Sequence, residues 1–426
     1  MIFQQFIDTD LGHVSYIVAC IECRECFIVD PRRDIKEYVE FIERNSLKLK
    51  YIFNTHTHAD YIGGHIELSS RYSIKNIFQE LTPIENFDIV RAKENDQFYL
   101  CNNIKIKILE TPGHTPFDIC LLVSENNTEK YLFTGDFLFV GDIGRPDLLG
   151  KDNLEFLLSS SFISANKIWE LSDDIITFTS HIQGSLCGKN LSKQNFSTIG
   201  IEKQTNYSFK LCKQTKENYM ENLISQNIEI PIFFKKMATI NISGPKLIRD
   251  ILKEIKKIEF EEIKERKDIQ IIDLRDPKFF YKNHIKNSIN ISKNSNVSFI
   301  AGNIINYEND IYLIGDIDSY LDEFIIKFLR VGIDNIKGII NNDFSLIESK
   351  YLINSNMILD YEDFTNILLD KDCSTLGKNI IESDIIEVQN LDLSKYEKII
   401  FSCNYGYKSS AIMSFLNFDN LFYIEK

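Results

Sequence analysis

The chain has 426 residues, which at one to two hundred per domain corresponds to two to four folded units. Hydrophobic residues make up 44% and charged residues 26%, an ordinary globular balance, and a formal net charge of −14 excludes nucleic acid or an anionic membrane as the main partner. No apolar run approaches the roughly 20 residues that span a bilayer, the start MIFQQFIDTD lacks a signal-peptide pattern, and nine scattered cysteines do not form a disulfide framework, so a reducing cytoplasm is the expected compartment.

In chain order, residues 26–30 read as a strand and Pro31-Arg32-Arg33 as a turn. Asp34 and Glu37 then have the spacing of a capping box, opening a helix with Ile35, Tyr38, Val39 and Ile42 on one face. Residues 51–54 form a short apolar strand running into Thr55-His56. Ile104, Ile106 and Ile108 alternate with lysines, as in a half-buried strand. Further strands, 131–134 and 175–179, lead into Gly135-Asp136 and Ser180-His181. A boundary is expected near Ile242-Ser243-Gly244-Pro245. After it the pattern restarts as helix 247–258, strands 269–274 and 311–314, and helix 321–331, the alternation of a small parallel α/β unit. A second break is expected at 345–356, leaving a last segment that is short for an independent domain.

The strongest chemical signal is Thr55-His56-Thr57-His58-Ala59-Asp60-Tyr61, with Gly63, Gly64 and His65 behind it. Two histidines at i and i+2 in a loop after a strand can both turn toward one ion. Thr111-Pro112-Gly113-His114, Thr134-Gly135-Asp136 and Ser180-His181 each follow a strand, so a sheet would deliver them to one edge. Five of the seven histidines belong to this set or adjoin it.

This pattern resembles the metallo-β-lactamase superfamily over roughly residues 1–240, with Tyr61 where its HxHxDH motif ends in histidine. The resemblance implies that a second ion, which would use Asp60 and His181, is weakened and a mononuclear centre favoured. Two imidazoles and a carboxylate with open positions form the facial triad of non-haem Fe(II) oxygenases, and His56, His114 and Asp136 are the expected triad. His58, Asp60 and His181 then orient ligands or contact substrate. Residue type alone leaves a zinc site of His56, His58 and His114 open.

Val140-Gly141-Asp142-Ile143-Gly144-Arg145-Pro146-Asp147, Gly184-Ser185-Leu186-Cys187-Gly188-Lys189, Asp30-Pro31-Arg32-Arg33 and Ser197-Thr198-Ile199-Gly200 are similar to persulfide dioxygenases, particularly bacterial ones fused to rhodanese domains. That resemblance implies one Fe(II) per chain and oxidation of a small-molecule persulfide, on glutathione or another thiol carrier, by O2 to sulfite and free thiol. Thr179-Ser180-His181-Ile182-Gln183-Gly184 departs from the family's Pro-Ala-His-Gly. Arg145 would pair with a carboxylate of the carrier, or form an inter-loop salt bridge. Cys187 would line the site, or be a buried inert thiol.

Ile271-Ile272-Asp273-Leu274-Arg275-Asp276-Pro277 and His284-Ile285-Lys286-Asn287-Ser288-Ile289-Asn290 resemble the front half of a rhodanese domain. Where its catalytic cysteine would follow the strand, Gly315-Asp316 stands. Residues 398–402 form a strand, and Cys403-Asn404-Tyr405-Gly406-Tyr407-Lys408-Ser409 matches a rhodanese loop of the CxxGxRS type, with a helix opening near Ser409. Loop amides, the helix start and Lys408 would favour a Cys403 thiolate, though lysine offers a point charge rather than a planar fork.

Some signals are set aside. Cys20, Cys23 and Cys26 lack a second pair to complete a zinc or iron–sulfur site and read as fortuitous spacing, and Cys101, Cys120, Cys212 and Cys373 have no neighbours that suggest a role. The lysines of 253–267 alternate with glutamates and read as a solvated helix face.

The expected whole is an α/β chain: an αββα metallo-β-lactamase fold over 1–244, a rhodanese-like domain without its cysteine over 245–346, and a short rhodanese-like segment carrying Cys403 over 347–426. The expected activity is the iron dioxygenase, with sulfite or thiosulfate handled by sulfur transfer. A zinc thioester hydrolase of the glyoxalase II type is the alternative, and a homo-oligomer the expected assembly.

Overall fold

The computed structural model describes residues 1–148, 150–225, 230–315, 321–348, 352–353, 356–357, 365–369, 379–393, 399–403, 407–416 and 422–423. Asp316, Cys373 and Gly406 lie outside the described residues. The chain forms two compact units, Met1–Ile230 with Phe234–Pro245, and Pro231–Phe233 with Lys246–Lys426. The expected segments 245–346 and 347–426 thus fall almost wholly in the second unit.

The first unit is built on two six-stranded sheets. One is β1 (Ile2–Asp8), β2 (His13–Ala19), β3 (Glu25–Val29), β4 (Lys48–Phe53), β5 (Asn76–Gln79) and β6 (Ile89–Ala92), in that spatial order. The other is β7 (Gln97–Leu100), β8 (Ile104–Glu110), β9 (Ile119–Glu125), β10 (Thr128–Gly135), β11 (Ile176–Thr179) and β12 (Phe196–Thr198), also neighbours in chain order. Side chains alternate across each strand, and here both faces are apolar. Tyr16 and Val18 of β2 face a core shared with Ile106, Leu121, Val123 and Phe133 of the second sheet, whereas Ile17 and Ala19 pack outward with Tyr38, Ile42 and Leu68. On the far face of the second sheet, Leu109, Leu122 and Leu132 meet Leu158, Ala165, Ile168, Phe209 and Tyr219. The outer layers are helices α1 (Lys36–Arg44), α2 (His65–Tyr72), α3 (Lys151–Trp169), α4 (Ile199–Thr205), α5 (Tyr207–Lys210), α6 (Lys216–Ile224) and α7 (Phe234–Ser243). The result is the expected αββα sandwich.

Two local expectations are corrected. Asp34 and Glu37 do not form a capping box: the cap of α1 is Ile35, with no side-chain hydrogen bond, and both carboxylates instead pair with the Arg32 guanidinium. A charged partner two and five residues away outcompetes the backbone amides. The helix expected over 247–258 ends at Glu254, because Lys256–Ile258 become an edge strand beside Gly338–Ile340. Pairing overrides helix propensity there, and the 253–267 run is not one helix face.

In the second unit a five-stranded parallel sheet runs, in spatial order, Lys256–Ile258, Ile336–Ile340, Asp310–Ile314, Ile269–Asp273 and Ile289–Asn290. Helices Ile248–Glu254, Pro277–Lys282, Val297–Ile304 and Leu321–Arg330 alternate with these strands. Arg275 chelates the Asp273 carboxylate and donates to the Asn283 carbonyl, tying two loops together. A three-stranded parallel sheet, Asn379–Glu382, Thr365–Leu368 and Ile399–Ser402, precedes helix Tyr407–Leu416, which starts two residues before the expected Ser409. That helix packs on the larger sheet: Ser410 donates to the Asn290 side chain, and the Asn290 amide donates to Ser414 Oγ. Among the described residues no helix is long and apolar enough to cross a membrane.

Phe133, 1% exposed and ringed by Phe3, Tyr16, Phe27 and Phe178, anchors the sandwich core. Phe133→Ala should cost the first unit about 3–5 kcal/mol in urea unfolding. Exposed Tyr207→Ala should change it by about 0.5 kcal/mol or less.

Candidate metal centre

The site residues lie just past the carboxyl ends of strands: Asp30 after β3, His56 after β4, His114 after β8, Asp136 after β10, His181 after β11. The strands of both sheets end at one edge, so these loops converge there, and β10 carries an irregularity between Phe133 and Gly135 just before Asp136. Donor atoms of His56, His114 and Asp136 lie within 4.8 Å of one another, and all three residues are buried. Asp136 Oδ2 is 3.8 Å from His56 Nε2 and 3.5 Å from His114 Nε2. Two donors bound to one cation at about 2.1 Å stand about 3–4 Å apart, so the spacing fits a single ion.

The hydrogen bonds fix which nitrogen faces the ion. The Arg145 carbonyl can only accept, so His114 Nδ1, 2.8 Å away, carries the proton and Nε2 offers its lone pair. The Thr55 hydroxyl spends its proton on Asp30 Oδ2, so His56 Nδ1, 3.0 Å from Thr55 Oγ1, donates to it and Nε2 is again free. Burial, before any neighbour, holds His56 and His114 below the usual imidazole range, and both stay neutral as ligands must. Burial would raise the Asp136 carboxyl, but the protonated His181 outweighs it and keeps it ionised. His56 Nε2 and Asp136 Oδ2 are buried without a hydrogen-bond partner, as expected of two atoms whose partner is a cation.

A second cluster adjoins the first. Asp60, His181 and Cys187 also place donor atoms within 4.8 Å of one another. His181 Nδ1 is 2.7 Å from Asp136 Oδ1, and its Nε2 is 2.6 Å from Asp60 Oδ2. The latter contact lacks hydrogen-bond alignment and acts as a charge pair. Burial lowers the His181 pKa, yet Asp136 and Asp60 outweigh it and hold the ring protonated. His181 thus orients Asp136. The Cys187 thiol is pushed well up, by burial first and then by Asp136 and Asp60. His58 falls in neither donor set. Tyr61 is buried, donates to the Asp30 carbonyl and has its phenol pKa raised by burial, so it is a neutral wall and no ligand.

Arg145 is 2% exposed, with Nε and Nη2 on Asp147 at 2.6 and 2.7 Å and Nη1 3.4 Å from the Leu186 carbonyl. The salt bridge to Asp147 lies within one loop rather than between loops, the Leu186 carbonyl contact being the one that reaches another, and a carrier carboxylate would compete with Asp147. Cys403 lies in the second unit, where its Sγ accepts from the Ser409 amide at 3.4 Å and faces Ser409 Oγ at 3.4 Å. Lys408 is half-buried in the same helix.

Sequence reading missed the residues that hold these loops. Asp30, at φ +49, receives the Thr55 amide and hydroxyl and the Ser180 hydroxyl, and lies 3.3 Å from His58 Nε2. One carboxylate therefore ties the 55–58 loop to the 180–181 loop. Asn241 of α7 donates to the His58 and Tyr61 carbonyls and accepts from the Gly63 amide. Asp118 accepts from the Thr115 amide and hydroxyl and closes the turn bearing His114; burial pushes its pKa up to about 8. His13 lies with its ring 4.0 Å from Tyr61 and neither nitrogen hydrogen-bonded. Gly144 is needed for approach, since a Cβ there would collide with the Asp136 carbonyl oxygen. Asp30 and Gly144 carried a signal, each as part of a family-like string. Lone Asn241, Asp118 and His13 have no local pattern.

Asp30→Asn should weaken metal binding about 10–100-fold in competition titrations, because the loops lose their shared acceptor. His114→Ala should abolish stoichiometric binding, whereas His58→Ala should still bind one ion per chain. Equal loss in both histidine variants would restore the zinc triad of His56, His58 and His114.

Residues 8–181 match the Metallo-beta-lactamase superfamily and residues 257–320 match the Rhodanese-like domain. Hydroxyacylglutathione hydrolase GloC of Haemophilus influenzae is 30% identical over 198 residues, 42% of this chain and 84% of that protein. Hydroxyacylglutathione hydrolase of Pelagibacter ubique is 27% identical over 245 residues, 55% of this chain and 94% of that protein. A metallo-beta-lactamase from Staphylococcus aureus, solved by crystallography, aligns with a TM-score of 0.70 and 31% identity over 80% of this chain and 98% of its own. The donor loops, the αββα sandwich and these matches agree: the chain belongs to the metallo-beta-lactamase superfamily, with a rhodanese-like domain following that fold.

Proposed function

We propose that the centre binds one Fe(II) and oxidises a low-molecular-weight persulfide with O2, giving sulfite and the free thiol. The balance is RSSH + O2 + H2O → RSH + H2SO3: the sulfane sulfur rises from oxidation state zero to +4, and its four electrons reduce O2. The observation that carries this reading is the donor set itself, two neutral imidazoles and one ionised carboxylate gathered in one place, with His58 outside it. Fe(II), when bound, supplies open positions where a persulfide sulfur and O2 come together.

The chain's own residues do the rest. Arg145 and Thr55 fix the two imidazole tautomers, and His181 orients Asp136 from its other oxygen. Tyr61 fills the place of a second-ion histidine with a neutral phenol. The buried Cys187 thiol stands beside Asp60 and His181 in the adjoining donor cluster. An attached rhodanese-like domain fits sulfane-sulfur chemistry, and Cys403 of the last segment, outside the matched 257–320, is the group that would carry sulfur between a persulfide or thiosulfate and an acceptor such as sulfite.

The competing reading is zinc-dependent thioester hydrolysis, favoured by hydroxyacylglutathione hydrolase as the name of relatives at 27–30% identity. Anaerobic reconstitution with Fe(II), then O2 uptake with glutathione persulfide, separates the two. We expect one O2 consumed and one sulfite formed per persulfide, and His114→Ala to reduce the rate at least 100-fold. No uptake by iron-loaded protein, together with thioester turnover by zinc-loaded protein, would overturn the proposal. Cys403→Ser should leave O2 uptake unchanged while abolishing thiosulfate:acceptor sulfur transfer, read as thiocyanate formed from cyanide.

A further inference from the structure

Three cysteines come together far from the metal centre. Cys20 and Cys23 belong to the turn joining β2 to β3, and Cys101 to the turn joining β7 to β8. Their sulfur atoms all lie within 4.8 Å of one another. Cys23 and Cys101 are disulfide-bonded across 78 residues of sequence, and Cys20 remains a free thiol beside them. This corrects one expectation, since Cys101 has a partner; Cys20 lies beside the pair, whereas Cys26 points away into the outer core. β2 carries His13 at one end and precedes Cys20 at the other, so its seven residues put roughly 20 Å between this cluster and the metal centre.

The surroundings make the cluster a place where a disulfide can be exchanged. Cys23 is exposed and open to small thiols, whereas Cys20 is 4% exposed and packed in the inter-sheet core. A hydrogen bond from the Arg24 amide to the Cys20 carbonyl closes the turn that keeps Cys20 and Cys23 together. The two turns are also held by the Cys101 amide on Glu25 Oε2 at 3.2 Å and by Asn103 Nδ2 on Glu22 Oε2 at 2.8 Å. Their juxtaposition therefore does not depend on the disulfide alone. Exposed disulfides are the labile ones, and a third thiol within reach supplies an internal nucleophile.

We propose that Cys20, Cys23 and Cys101 form a thiol–disulfide exchange centre on the first unit, with two covalent states. The Cys20 thiolate attacks Cys23 Sγ and a Cys20–Cys23 bond forms. The Cys23–Cys101 bond breaks, and its electron pair leaves on Cys101 Sγ, which takes up the proton Cys20 gave away. No electron is gained or lost. In one state the disulfide links a hairpin of the first sheet to a hairpin of the second. In the other it closes a local Cys-x-x-Cys loop and exposes the Cys101 thiol. A small thiol of the glutathione class enters the same cycle at exposed Cys23, forming a mixed disulfide that Cys20 resolves.

The test uses full-length protein equilibrated in buffers of graded reduced to oxidised glutathione, acid-quenched, alkylated and peptide-mapped by mass spectrometry. It involves neither metal nor catalytic activity, so it stands apart from the dioxygenase reading. We expect Cys23–Cys101 linkage in the most oxidising buffer. Because the two disulfide isomers share one redox state, a Cys20–Cys23 species with alkylated Cys101 should accompany the Cys23–Cys101 species in constant proportion at every ratio that keeps one disulfide. Cys20→Ser and Cys20→Ala should lack that species and accumulate glutathione on Cys23 at least several-fold over wild type. Two outcomes overturn the proposal: wild type passing from linked to fully alkylated with the same species as both variants, or Cys23 and Cys101 alkylated in every buffer. Using two substitutions separates a lost nucleophile from disturbed packing.

Discussion

A carboxylate kept ionised in a dry sheet edge requires positive charge close by, and much of the first unit is arranged around meeting that requirement at Asp136. Its Oδ1 is satisfied by a protonated His181, itself held between Asp136 and Asp60. Its Oδ2 faces the unprotonated nitrogens of His56 and His114, which cannot satisfy it. A cation completes the arrangement, and removing Asp136 from it would leave His181 buried with one counter-charge. The strands deliver these groups, but the loops must be held in place after the strands stop, and Asp30 does that by accepting from both the 55 and 180 loops.

How much of this the sequence disclosed depends on the kind of signal. The β-strand alternation at Ile104, Ile106 and Ile108 was readable because one period specifies which face is buried, and the structure places all three at 2% exposure or less. The motif histidines were readable because two of them recur at i, i+2 behind an apolar strand. The supports were not: Asn241 reaches His58 and Tyr61 across 183 and 180 residues, a distance no local pattern spans. Asp34 and Glu37 misled because spacing cannot tell a cap from an ion pair with Arg32. The helix expected through 258 failed because edge pairing with Gly338–Ile340 is invisible in the window 247–258.

The cysteines show the same limit from another side. Spacing read Cys23 with Cys20 and Cys26 as an incomplete metal motif and gave Cys101 no role, and the two bonded cysteines are 78 residues apart. Only the sandwich, by bringing one hairpin of each sheet to a common end, makes them neighbours. Cys187 and Cys403 were read from motif context, and the structure assigns them different environments: one lies beside two carboxylates, the other at a strand end under a helix amide. Sulfur groups of one chain thus occupy three separate settings, with the metal centre at the opposite end of β2 from the exchange cluster.

The proposed chemistry depends on where a single ion sits. Anomalous diffraction at the iron edge, from crystals of anaerobically iron-loaded protein, locates it directly. One peak within bonding distance of His56 Nε2, His114 Nε2 and Asp136 Oδ2, with none beside Asp60 and His181, is the predicted result. A pair of peaks, or one peak bonded to His58 in place of Asp136, would contradict it.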